Sequence, residues 1–126
     1  MDKCVLVVDD NDFNRELVRD ILEDEDITVY EADGGNSAIA LMQSAQADDI
    51  DAILMDIRMP GMDGISTTSH IRELGGKCEK VPIIAMTANT YDSDASGLQN
   101  VGMNGLITKP VNVDTLIQEI AKLAEW

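Results

Sequence analysis

Apolar residues in this chain come in two spacings that alternate from one end to the other. The first is a short unbroken run. Cys4-Val5-Leu6-Val7-Val8 is one, and a run without polar interruption predicts a strand covered on both faces. It ends at Asp9-Asp10-Asn11-Asp12, residue types that close turns and cap helices. The second spacing follows at once. Phe13, Leu17 and Ile21, with Val18 and Leu22 beside them, recur at helical intervals. Ile27 to Ala32 then predicts a second strand, Gly34-Gly35 a break, and Ala38, Leu41, Met42 and Ala45 a second helix. Ala52 to Met55 predicts a third strand ending at Asp56, and the Pro and Gly residues of Met59 to Gly64 predict a loop. A third helix is expected from about Ile65 to Leu74, with Gly75-Gly76 as its stop. Val81 to Met86 predicts a fourth strand. A fourth helix is expected over Tyr91 to Val101 by position, although Asp92, Ser93, Asp94, Ser96 and Gly97 are poor helix formers. Gly105 to Thr108 predicts a short fifth strand. Val113, Leu116, Ile117, Ile120 and Leu123 predict a last helix.

Five strand–helix pairs with no linker or repeat predict one α/β domain over residues 1–126: a five-stranded parallel sheet, doubly wound as (βα)5. Right-handed crossovers leave few topologies, and of these the order 2-1-3-4-5 is the one expected. The length is enough for one hydrophobic core, and with aromatics at only 3% that core must be aliphatic. Ligands of such sheets bind beyond the carboxyl ends of the strands. Those ends carry Asp9-Asp10, Asp56, Thr87 and Lys109.

Charge narrows the chemistry. A net charge of −15 disfavours direct binding to nucleic acid or to an anionic membrane, and favours a cation or a basic patch on a protein. At the strand ends, two carboxylates ~4 Å apart would repel by ~4 kcal/mol at an effective dielectric near 20. Three stay ionised together only if cations join them. Lys109 supplies one positive charge, so a divalent ion matches what remains. Oxygen ligands without His or Cys point to Mg²⁺ (or Mn²⁺) rather than zinc. Mg²⁺ held by few protein groups commonly serves a phosphoryl group, for which an ionised Asp is a nucleophile. The single histidine, His70, reads as a solvated helix residue and the methionines as core filler. Cys4 and Cys78 read as buried thiols in a reducing compartment, hence the cytoplasm. No apolar run approaches the ~18 residues of a membrane helix, and the N-terminal stretch lacks the features of a signal peptide.

From Cys4 to Leu123 the chain resembles the receiver domain of bacterial response regulators. The matching residues are VLVVDD ending in Asp9-Asp10, LMDIRMPGMDG containing Asp56, AMTA containing Thr87, and TKP containing Lys109. The resemblance implies a flavodoxin-like fold and a role for each residue. Asp56 would be the phospho-acceptor and also a metal ligand. Asp10 would bind Mg²⁺ directly, Asp9 mainly through a metal-bound water, and Arg58 through its backbone carbonyl. Thr87 would hydrogen-bond a phosphoryl oxygen, and Lys109 would pair with Asp56 or its phosphoryl group. Thr87 would also belong to the switch with Leu106, which stands where the family usually has Tyr or Phe. The donor would be a histidine kinase or a histidine phosphotransfer domain. The chain would act as a switch that catalyses only its own phosphorylation and dephosphorylation, as a monomer or weak dimer. Asp10-Asn11 followed by Asn14-Arg15, with Ala85-Met86-Thr87-Ala88-Asn89, resembles receivers attached to hybrid histidine kinases. No output module is expected after the last helix. Two alternatives remain at this point. One is a Mg²⁺-dependent phosphatase of haloacid dehalogenase type, although Arg58 stands where that group has its second Asp. The other is a receiver-like interaction module that is never phosphorylated.

Overall fold

The structure, a computed structural model, describes residues 3–57, 61–87, 100–108 and 111–126. Its strands are β1 (Lys3–Val8), β2 (Ile27–Ala32), β3 (Ala52–Asp56), β4 (Ile83–Thr87) and β5 (Gly105–Thr108). Its helices among the described residues are α1 (Asp12–Asp24), α2 (Gly35–Met42), α3 (Gly64–Glu73) and α4 (Val113–Ala124). All strand pairs are parallel, as the alternation predicts, and the order is β2-β1-β3-β4-β5, the one expected among the few topologies open to the chain. The helix expected over Tyr91 to Val101 lies outside the described residues, apart from Asn100 and Val101.

The unbroken apolar runs are explained by two cores, one on each face of the sheet. Leu6, Val8, Ile53, Met55 and Ile83 pack with Ala38 and Met42 of α2 and Ile71 of α3. Val5, Val7, Leu54, Ile84 and Met86 pack with Val18 and Leu22 of α1 and with Leu116 and Ile120 of α4. Successive strand residues point to opposite faces, so every position of β1 from Cys4 to Val8 is buried.

Caps set the helix starts. Asn11, Asp63 and Asn112 accept the backbone N–H of Asn14, Ser66 and Thr115, which begins α1, α3 and α4 at those points. The second helical stripe is shorter than expected, because Ala45 falls in a separate 3-10 turn, Ala45–Asp49. Gly75 and Gly76 do stop α3, with φ of 77° and 59°.

The apolar positions of α1 are not equally buried: Phe13 and Leu17 are 73% and 44% exposed, while Val18 and Leu22 are buried. Each residue turns a helix by ~100°. Once the Val18–Leu22 ridge faces the sheet, the Phe13–Leu17 ridge lies at the solvent edge.

Candidate functional site

The parallel register brings the strand ends to one level. Val8 is opposite Met55, which puts Asp9 level with Asp56 on the next strand. Asp56 is opposite Met86, one residue before Thr87, and Thr87 is opposite Thr108. Asp9, Asp56 and Thr87 are buried, with Asp9 and Asp56 only 1% and 5% exposed. Asp10 is exposed. One carboxylate oxygen from each of Asp9, Asp10 and Asp56 lies within 4.8 Å of the others. The structure therefore brings together three of the residues singled out from the sequence, with Thr87 at the end of the adjoining strand. Arg58 and Lys109 lie outside the described residues. Leu106 lies on β5 opposite Ala85, half-buried against the α2–α3 core. His70 is exposed on α3.

Local contacts hold the chain at Asp9 and just behind Asp56. The Asp9 N–H donates to the carbonyl of Ala32 at 3.1 Å, so the chain is still pinned to β2 where it leaves the sheet. Asp9 Oδ1 accepts the N–H of Asn11 at 2.9 Å, and Asn11 in turn caps α1. Behind Asp56 the chain doubles back closely. The Gly64 N–H donates to the carbonyl of Ile57 at 2.9 Å. A Cβ on Gly64 would meet the carbonyl oxygen of Asp56 at 2.3 Å, so only glycine allows α3 to start there.

The donor set fits a hard cation. All three groups offer oxygen, and two are buried where charge is poorly screened. Ligands at 2.1 Å stand ~4.2 Å apart across an octahedral ion. A cluster within 4.8 Å is therefore compact enough for direct ligation by some groups and ligation through water by others.

Comparison with known proteins decides the family. The model of the response regulator receiver domain matches residues 5–121. This chain belongs to the response regulator receiver domain family. The receiver is 38% identical over 120 residues to the sensor protein GacS of Pseudomonas syringae pv. syringae, covering 94% of this chain and 13% of that protein. It is 33% identical over 124 residues to the sensor histidine kinase RcsC of Escherichia coli K12, covering 98% and 12%. The chain thus spans about an eighth of the length of these curated relatives. Among solved structures it is similar to the receiver domain of sensor histidine kinase PA1611 from Pseudomonas aeruginosa PAO1, whose structure has a magnesium ion coordinated in the active site cleft. That match has a TM-score of 0.87 and 30% identity, with both chains fully covered. The chemotaxis protein CheY4 of Vibrio cholerae gives a TM-score of 0.89 at 29% identity, covering 98% of this receiver and 99% of that chain.

Two residues that matter here were not singled out as site residues from the sequence. Gly64 is one, and its signal is the glycine just after the Asp63 cap. Arg15 is the other. Its Nη1 donates to the carbonyl oxygen of Asp9 at 2.8 Å, beside the acidic cluster. The available signal is its place in the first turns of α1, where helix side chains lean back toward the N-terminus.

Proposed function

We propose that this receiver is a Mg²⁺-dependent phospho-acceptor switch in which Asp56 takes a phosphoryl group from a phosphohistidine donor. The convergence of the Asp9, Asp10 and Asp56 carboxylates within 4.8 Å is the observation that carries this reading. Asp56 is the acceptor because it sits between the other acids and Thr87. An oxygen of Asp56 attacks phosphorus, the P–N bond of the donor breaks, and the departing imidazole takes up a proton. The product is an acyl phosphate, which an in-line water later cleaves to inorganic phosphate and the free carboxylate. Bound Mg²⁺ supplies charge neutralisation for the transferring group, and Asp10 and Asp9 hold it, with the Arg58 carbonyl as a further ligand. The Thr87 hydroxyl donates to a phosphoryl oxygen, and Lys109 pairs with the anionic group. The resulting movement of Thr87 and repacking of Leu106 bias the surface carried by β5 and its neighbours.

The donor is a histidine kinase or a histidine phosphotransfer domain. The exposed pair Phe13 and Leu17, which follow Asp10 in α1, offers an apolar contact for such a partner. The sensor kinases that the chain resembles support a receiver carried by a hybrid kinase, whose kinase activity would lie outside these residues. On this reading the domain works in the cytoplasm and turns over only its own acyl phosphate. None of the helices among the described residues is long and apolar enough to cross a membrane. The haloacid dehalogenase alternative has no support from the family match.

Labelling with acetyl phosphate or a phosphohistidine donor tests the reading. Wild-type protein should take up acid-labile phosphate only with Mg²⁺, and Asp56→Asn should take up none. Uptake by Asp56→Asn at the wild-type rate would overturn the assignment.

A further inference from the structure

Arg15 is held by three segments at once. Nη1 donates to the Asp9 carbonyl oxygen at 2.8 Å, Nη2 to Asp12 Oδ1 at 2.5 Å, and Nε to Glu31 Oε1 at 3.2 Å. The side chain is 16% exposed. The strand-end turn, the first turn of α1 and strand β2 therefore meet on one planar fork, a geometry that a lysine cannot reproduce. Burial pulls the guanidinium pKa down, but Asp12 and Glu31 more than offset this and hold it above the ordinary arginine value.

The oxygen that Arg15 grips belongs to the peptide joining Asp9 to Asp10. That unit is planar, so fixing its oxygen also fixes the nitrogen and Cα of Asp10. Asp9 has its own restraints in the Ala32 carbonyl and the Asn11 N–H. Asp10 is exposed, and its direction depends on how this peptide is turned.

We propose that Arg15 is a positioning residue of the cation site, locking the Asp9–Asp10 peptide so that the Asp10 carboxylate faces those of Asp9 and Asp56. This rests on the reading that the acidic cluster binds Mg²⁺. Charge and position predict opposite signs. A positive group near the site repels a divalent ion, so neutralising Arg15 would tighten binding if only its charge mattered. If it positions Asp10, neutralising it loosens binding. Outer groups that orient metal ligands commonly change affinity by about 10–100-fold.

Arg19 is the control. It shares Glu31, through Nη1 to Oε2 at 3.2 Å, and also pairs with Glu16, Asp20 and Glu23. These partners lie on α1 and β2, away from the strand-end turn.

The test is calorimetric titration of Mg²⁺ into wild type, Arg15→Met, Arg15→Lys and Arg19→Met, each checked for native far-UV circular dichroism. Arg15→Met should bind about tenfold more weakly and Arg19→Met within about twofold of wild type. Arg15→Lys keeps the repelling charge without the fork and should also bind more weakly than wild type. It also keeps the test decisive if Arg15→Met does not fold. Affinity equal to or tighter than wild type in either Arg15 variant overturns the proposal, as does an equal loss in Arg19→Met. If wild type itself binds no Mg²⁺, the metal reading fails and this inference fails with it. Normal wild-type binding with unchanged Arg15 variants sinks this inference alone.

Discussion

Replacing Asp10 by Asn removes one negative charge from three carboxylates whose oxygens lie within 4.8 Å of one another. At that separation and an effective dielectric of ~20, each pair repels by ~3.5 kcal/mol. Asp10 is exposed, so water and salt screen its two pairs, and ~1 kcal/mol per pair survives. Without a divalent ion, Asp10→Asn should therefore be more stable than the parent by ~2 kcal/mol, or ~8 °C in melting temperature for a domain of this length. Mg²⁺ should narrow that gap. At tenfold excess over its dissociation constant it stabilises the parent by ~1.4 kcal/mol. The variant has lost a ligand and should bind at least about tenfold more weakly, so it gains only ~0.4 kcal/mol at the same concentration. Thermal unfolding of both proteins in EDTA and across a Mg²⁺ series, beside a calorimetric titration, reads both effects. A variant that melts at or below the parent in EDTA would refute the repulsion argument. Equal Mg²⁺ shifts in the two proteins would refute the role of Asp10 as a ligand.

Three further outcomes are expected. Arg72 of α3 donates to the carbonyls of Gly102, Cys78 and Val81 and to Asn104 Oδ1, at 2.5 to 3.2 Å. Arg72→Met keeps the stem but strands those acceptors, so denaturant unfolding should show a loss of ~3 kcal/mol; a loss under ~1 kcal/mol would show that water replaces the guanidinium. Burial, then the nearby Asp51 and Asp49, raise the Cys4 thiol from its ordinary 9.0 to about 11. The unfolded chain therefore loses this proton first, and stability should fall as pH rises from about 9 to about 11; Cys4→Val should flatten that slope, and an unchanged slope would refute the assignment. Leu106→Ala should cost ~2 kcal/mol of stability and alter partner binding, while acetyl phosphate labelling proceeds at nearly the wild-type rate; a labelling defect like that of Asp56→Asn would refute the division between site and switch.

The strands were legible because both faces of the sheet are covered. A strand buried on both sides must be apolar throughout, so Cys4 to Val8 and Ala52 to Met55 declare themselves without knowledge of their neighbours. The strand-end acids were legible for a related reason: a parallel sheet with helical crossovers gathers its carboxyl ends on one edge. Asp9, Asp10, Asp56 and Thr87 could thus be grouped before any distance was known. Other features depended on contacts between segments distant in sequence. Helical spacing gives α1 an apolar face, but packing against the sheet sets the rotation, and that rotation buries Val18 and Leu22 and leaves Phe13 and Leu17 in water. The need for glycine at position 64 comes from the Asp56 carbonyl that a side chain would strike. Arg15 and Arg72 look like ordinary helix-surface cations in the sequence. The partners that define them, Glu31 for one and Gly102 for the other, are brought within hydrogen-bond reach only when the chain folds. A periodic pattern reports what a segment needs from its surroundings, whereas the direction of a guanidinium fork depends on which distant oxygens arrive beside it.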